Sequence, residues 1–130
     1  MIGDWNQVYI LNRIGKMPKR YISGTMLREI IHRIVDTADP ERIILFGSAA
    51  RGSMGPQSDI DLLVIKSGSY NPREIAGRIY QNLYGTGNAF DIIIVTPEQV
   101  EQYCNSPYLV IYPALKEGKV IYERKPVIAG

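Results

Sequence analysis

The chain holds one cysteine, one histidine, one tryptophan and two phenylalanines in 130 residues. A single thiol, Cys104, forms no internal disulfide and supplies no thiolate zinc site, so nothing points to an oxidising compartment. The lone His32 lies beside Ile30 and Ile31 on an apolar helix face, where a packed or half-exposed residue is expected rather than a metal ligand. No stretch approaches the roughly 20 apolar residues of a membrane span. The opening residues lack a basic segment followed by a long apolar run and a cleavage site, so a soluble, cytoplasmic protein is expected. Strong charge of either sign is also missing. A net charge of +2 argues against nucleic acid as the main partner.

What remains is an ordinary globular composition, 45% hydrophobic and 22% charged, at a length suited to one core. Residues 1–22 show no clean period, and Arg13, Lys16, Lys19 and Arg20 make them basic. They read as an arm or extension, followed by a domain over residues 23–125 and a tail over 126–130. Within the domain, Met26, Leu27, Ile30, Ile31, Ile34 and Val35 recur at one-turn spacing, which predicts an amphipathic helix over residues 24–39. The apolar run 42–46 reads as an interior strand ending at Gly47, and residues 47–58 as a loop. A second strand is expected over 59–66. Asn71-Pro72-Arg73-Glu74 then has the chemistry of a helix start, with Ile75, Ile79 and Leu83 as its buried stripe and Gly85 past its end.

A third strand is expected over 89–96, a short helix after Thr96-Pro97, and another from Ser106-Pro107 to near Gly118. Pro113 must kink that last helix or delay its start. Residues 119–122 read as a final edge strand. Tyr103, Tyr108, Tyr112 and Tyr122 gather near the C-terminus, where either core packing or a partner-facing patch would use them. The fold class implied is α/β (α+β): a small mixed sheet flanked by helices.

Three features coincide along this pattern: Gly47-Ser48 directly after the first strand, Asp59-Ile60-Asp61 at the start of the second, and Asp91 near the start of the third. Period-two geometry sets Asp59 and Asp61 on one face, their α-carbons about 6.6 Å apart. If the strands are neighbours, Asp91 joins them. Two carboxylates ~5 Å apart repel by about 3 kcal/mol at an effective dielectric near 20, so a cation is expected among the three. Magnesium suits an oxygen-only donor set, and two such ions would clamp an in-line phosphoryl displacement. Gly47 allows backbone to approach phosphate. Ser48 adds a hydroxyl, and Arg51 a planar guanidinium suited to phosphate oxygens.

Gly47-Ser48, ten residues, then Asp59-Ile60-Asp61 resembles the Gly-Ser-x10-Asp-x-Asp pattern of the DNA polymerase beta-like nucleotidyltransferase superfamily. The fuller strings Phe-Gly-Ser-Ala-Ala-Arg-Gly and Ser-Asp-Ile-Asp-Leu-Leu-Val are similar to its minimal nucleotidyltransferase branch, over residues 25–123. The resemblance implies metal binding and catalysis by Asp59, Asp61 and Asp91, with nucleotide contacts at Gly47 and Ser48. It implies that Asp91 helps to deprotonate an acceptor hydroxyl, and that ATP with magnesium is the donor. Many members of the branch resemble antitoxins that silence a HEPN-domain toxin by moving AMP onto a toxin tyrosine. The extra C-terminal domains of larger relatives are not expected here, so the acceptor surface is expected from a partner or a second copy. A non-catalytic, steric or nucleotide-binding antitoxin, or transfer to RNA or a small molecule, are the alternatives.

Overall fold

The computed structural model describes residues 23–52, 59–103 and 111–124, with the side chains of 111–113 set aside. The expected arm over 1–22, the tail over 126–130, Cys104 and Tyr108 lie outside the described residues.

Helix α1 (Gly24–Ala38) starts where the Ser23 hydroxyl accepts from the Met26 amide and stops where Asp39 turns left-handed at φ 47°. Such a hydroxyl satisfies one of the orphan donors of a first turn. Strand β1 (Arg42–Phe46) runs directly into α2 (Gly47–Arg51), a helix of five residues. The sequence reading of this stretch as loop is thus corrected. Gly and Ser favour turns, but the next two residues, Ala49 and Ala50, are good helix formers and pack into the core. Strand β2 (Ile60–Ile65) leads to α3 (Pro72–Leu83), where the Asn71 side chain accepts from the Arg73 amide and Pro72 takes the first turn. Strand β3 (Phe90–Val95) is followed by α4 (Pro97–Tyr103). That helix opens with a reciprocal box: the Thr96 amide donates to the Gln99 side chain and the Gln99 amide to the Thr96 hydroxyl. Helix α5 (Ile111–Glu117) carries Pro113, and the expected start of this helix at Ser106-Pro107 lies outside the described residues. Strand β4 (Lys119–Glu123) closes the fold.

The sheet runs β3-β2-β1-β4. β1 is antiparallel to both neighbours, and β2 is parallel to β3. A mixed sheet flanked by helices is therefore what the chain builds. Side chains alternate between two faces. On one, Ile43, Leu45, Leu62, Val64 and Ile92 meet Leu27, Ile30, Ile31 and Ile34 of α1 and Ile79 and Leu83 of α3. On the other, Ile44, Leu63, Ile65 and Val95 meet Ala114 of α5, with Val100 and Tyr103 of α4 against them. α1 and α3 are also tied by polar groups, since Arg33 donates to the Asn82 carbonyl at 2.7 Å and the Asn82 amide donates to the Arg33 carbonyl at 2.9 Å. His32 is exposed. Among the described residues no helix is long and apolar enough to cross a membrane.

Candidate active site

Strand register decides which acids meet. In the parallel β2–β3 pair Asp61 stands opposite Asp91, and in the antiparallel β1–β2 pair it stands opposite Phe46. Neighbouring strands lie about 4.8 Å apart, and register partners share a face. Asp61 has the parity of Leu63, and Asp91 that of Ile93 and Val95, so both carboxylates project on the α4–α5 side of the sheet. They sit at its end, before the apolar segments begin. Asp59 has the same parity but precedes β2 and is exposed, as is Asp91, while Asp61 is half-buried.

Gly47 closes the site from the β1 side. Its φ is +70°, and a β-carbon built on it would fall 2.1 Å from Asp61 Oδ2. The backbone at the β1–α2 junction is therefore laid on the Asp61 carboxylate, an approach only glycine permits. Ser48 follows, half-buried, and Arg51 ends α2 with an exposed side chain. We expect Gly47→Ala to lose most activity and about 1–3 kcal/mol of stability, from a left-handed residue with a β-carbon and a displaced carboxylate. Parallel thermal melts and nucleotide titrations would check this; unchanged nucleotide affinity would contradict the contact.

Electrostatics links the same residues. The Asp61 carboxyl is pushed above its ordinary range, first by burial, then by the charges of Asp91 and Asp59, while Arg51 pulls it back down. Three charged groups, Asp91, Asp59 and Arg51, thus act on one carboxylate. Among the described residues no three carboxylate, imidazole or thiolate groups enclose a common point tightly enough to hold a metal unaided. Asp61 and Asp91 are the close pair, with Asp59 further out. Magnesium commonly takes one or two protein carboxylates and fills its shell with substrate phosphates. An oxygen-only pair beside the Gly47 turn fits that demand in the chemistry of its donors.

Sequence reasoning placed Gly47, Asp61 and Asp91 without locating Phe46, which stands beside Asp61 and packs on the α4–α5 face. Its position at the last residue of β1, one before the glycine, was the available signal.

A mixed α/β domain with paired carboxylates at one sheet end and a glycine turn folded over them is the class defined so far. Residues 28–127 match the family model described as Polymerase beta, Nucleotidyltransferase, and the chain belongs to that family. Two solved structures share the fold. A candidate nucleotidyltransferase from Sulfolobus solfataricus is 18% identical, with a TM-score of 0.53 over 95% of this chain and 89% of its own. A chain of a toxin–antitoxin structure with AMP-PNP is 19% identical, with a TM-score of 0.54 over 76% of this chain and 74% of its own. No curated protein matches.

Proposed function

We propose that this chain moves AMP from ATP onto a hydroxyl acceptor in a magnesium-dependent reaction, and that the acceptor is a tyrosine of a HEPN-type toxin that it silences. The reading rests foremost on the Asp61–Asp91 register pair with the Gly47 backbone seated on Asp61. Family membership supports the reaction class. The likeness to a chain from a toxin–antitoxin structure with AMP-PNP favours a protein partner and an adenine nucleotide.

Asp61 and Asp91 would hold magnesium, with Asp59 beside them and a second ion shared with the substrate phosphates. When bound, the metal polarises the phosphoryl oxygens and offsets the charge that develops during in-line displacement. The protein's own part is placement. Gly47 lets the backbone of the turn come down on the Asp61 carboxylate, the Ser48 hydroxyl and amide offer donors to the triphosphate at the same turn, and the Arg51 guanidinium adds positive charge. Asp91, the exposed member of the pair, is the carboxylate that an incoming hydroxyl can reach, and it takes the acceptor proton.

The test is transfer from ATP labelled at the α-phosphate, with magnesium, to partner toxin, RNA and small hydroxyl compounds in parallel. Label is expected on the toxin, with pyrophosphate released, and Asp91→Asn should remove it. Equal labelling by that variant would overturn the assignment. Label on RNA or small compounds alone would retain the chemistry and replace the acceptor. Toxin inhibition that survives Asp91→Asn without labelling would make the protein a steric antitoxin.

A further inference from the structure

The proposed chemistry consumes a tyrosine hydroxyl, and the chain carries nine tyrosines of its own. Most of the described ones are engaged. The Tyr70 hydroxyl donates to the Lys66 carbonyl at 2.7 Å. The Tyr80 hydroxyl accepts from the Ile92 amide at 2.9 Å, which occupies an outward N–H of the edge strand β3. Tyr103 packs on the second face of the sheet, and Tyr122 is 3% exposed. Tyr84 differs from all of these: it is 88% exposed.

Its position also differs. α3 returns the chain from the far end of β2 to the end where β3 begins, so Tyr84 and Asp91 lie at the same end of the sheet. Tyr84 caps α3 and leads into a narrow, well-fastened turn. Its amide donates to the Gln81 carbonyl, and both the amide and the hydroxyl of Thr86 donate to the Leu83 carbonyl. Gly85 and Gly87 take φ of 93° and 84°, and a β-carbon on either would meet nothing within 4 Å. The turn therefore presents one large aromatic side chain on a slender stem with open space around it.

We infer that Tyr84 is a self-modification site, adenylylated by the Asp61–Asp91 centre of a second copy of this chain. The inference rests on the nucleotidyl transfer proposed above. The donor is another copy because α3 packs on the sheet face of Leu62, Val64 and Ile92, whereas Asp61 and Asp91 project from the opposite face. The sheet lies between α3, which ends just before Tyr84, and the face from which the carboxylates project. In the step, the Tyr84 phenolic oxygen attacks the α-phosphorus of ATP bound by the other copy. A new P–O bond forms, the bond to the β-phosphate oxygen breaks, and pyrophosphate leaves. The phenolic proton passes to the Asp91 carboxylate and then to solvent.

The experiment incubates the full chain with magnesium and α-labelled ATP, maps any label by peptide mass spectrometry, and runs N-acetyltyrosinamide as a soluble acceptor in parallel. Label is expected on Tyr84, lost in Tyr84→Phe while ATP affinity stays unchanged. Mixing the Asp61→Asn chain, which keeps its tyrosine, with the Tyr84→Phe chain, which keeps its acids, should place label on the Asp61→Asn chain alone. Circular dichroism of both variants confirms that they are folded before mixing. Label on N-acetyltyrosinamide with none on Tyr84 would overturn self-modification and leave the proposed function intact. Label on neither, with transfer to the partner toxin retained, would likewise overturn self-modification, whereas label on none of the three acceptors would overturn both. Wild-type label that fails to appear in the mixture would assign the transfer to one copy acting on itself, against the inference.

Discussion

Asp61→Asn is expected to reduce nucleotidyl transfer about a thousandfold while making the chain more stable at neutral pH in buffer without divalent ions. The loss follows from removing a carboxylate that would hold magnesium, since polarisation by a bound cation contributes several kcal/mol to the transition state, and each 1.4 kcal/mol is about tenfold in rate. The gain follows from electrostatics. Burial and the Asp91 and Asp59 charges raise the Asp61 carboxyl above the ordinary carboxylate range. Its folded form thus holds a proton more tightly than the unfolded chain does. Stability from this group is present in acid and declines as pH rises through the raised folded value. The neutral amide escapes that decline. Because Asp61 is half-exposed, screening limits the benefit to about 1 kcal/mol, or roughly 4 °C in melting temperature for a chain of this size. Melting curves of both proteins across about pH 4 to 8 would show the gap widening upward. An Asn variant that is less stable at neutral pH would mean that Asp61 holds the fold together rather than straining it.

The largest loss of stability is expected from Gly118→Ala, a site with no part in the chemistry. Gly118 joins α5 to β4, and its amide donates to the Ala114 carbonyl at 2.9 Å, closing the last turn of the helix. A β-carbon there would lie 2.2 Å from that carbonyl oxygen, 2.4 Å from Ile44 Cγ2 and 3.1 Å from the Leu45 carbonyl oxygen. Two of the three obstacles are backbone, and the third belongs to a buried side chain. Neither can swing aside, so α5 must lift from β1. Overpacking of this kind costs about 3 kcal/mol, a fall of roughly 11 °C. Urea or thermal unfolding measures it directly. A fall under about 1 kcal/mol would mean that α5 repacks freely.

Gly118 also shows where sequence reading stops. Nothing in Lys-Glu-Gly-Lys distinguishes a glycine ending a helix from one also pressed by a neighbouring strand, because two of the three obstacles, at Ile44 and Leu45, come from more than seventy residues away. The α1 stripe, the Asn71-Pro72 start and the β1 limits were legible because each is written in local chemistry: period, cap and punctuation. The strand order and the reversal of β1 against β2 were not, since an apolar run records burial and says nothing of which partner lies alongside. The α2 helix was hidden by its first two residues, whose turn preference was overridden by Ala49 and Ala50 reaching the core. Of the candidate site, the residue types and their shared parity could be read beforehand. The opposition of Asp61 to Asp91 and the seat of Gly47 on Asp61 needed the sheet.

One carboxylate of the pair is carried by an outer strand, since among the described residues β3 has a neighbour on one side only. Edge strands open more readily than inner ones, and a one-residue slip would turn Asp91 to the far side. Whatever is gripped between positions 61 and 91 therefore fastens the rim of the sheet to its middle, so occupancy and folding of that margin become a single event.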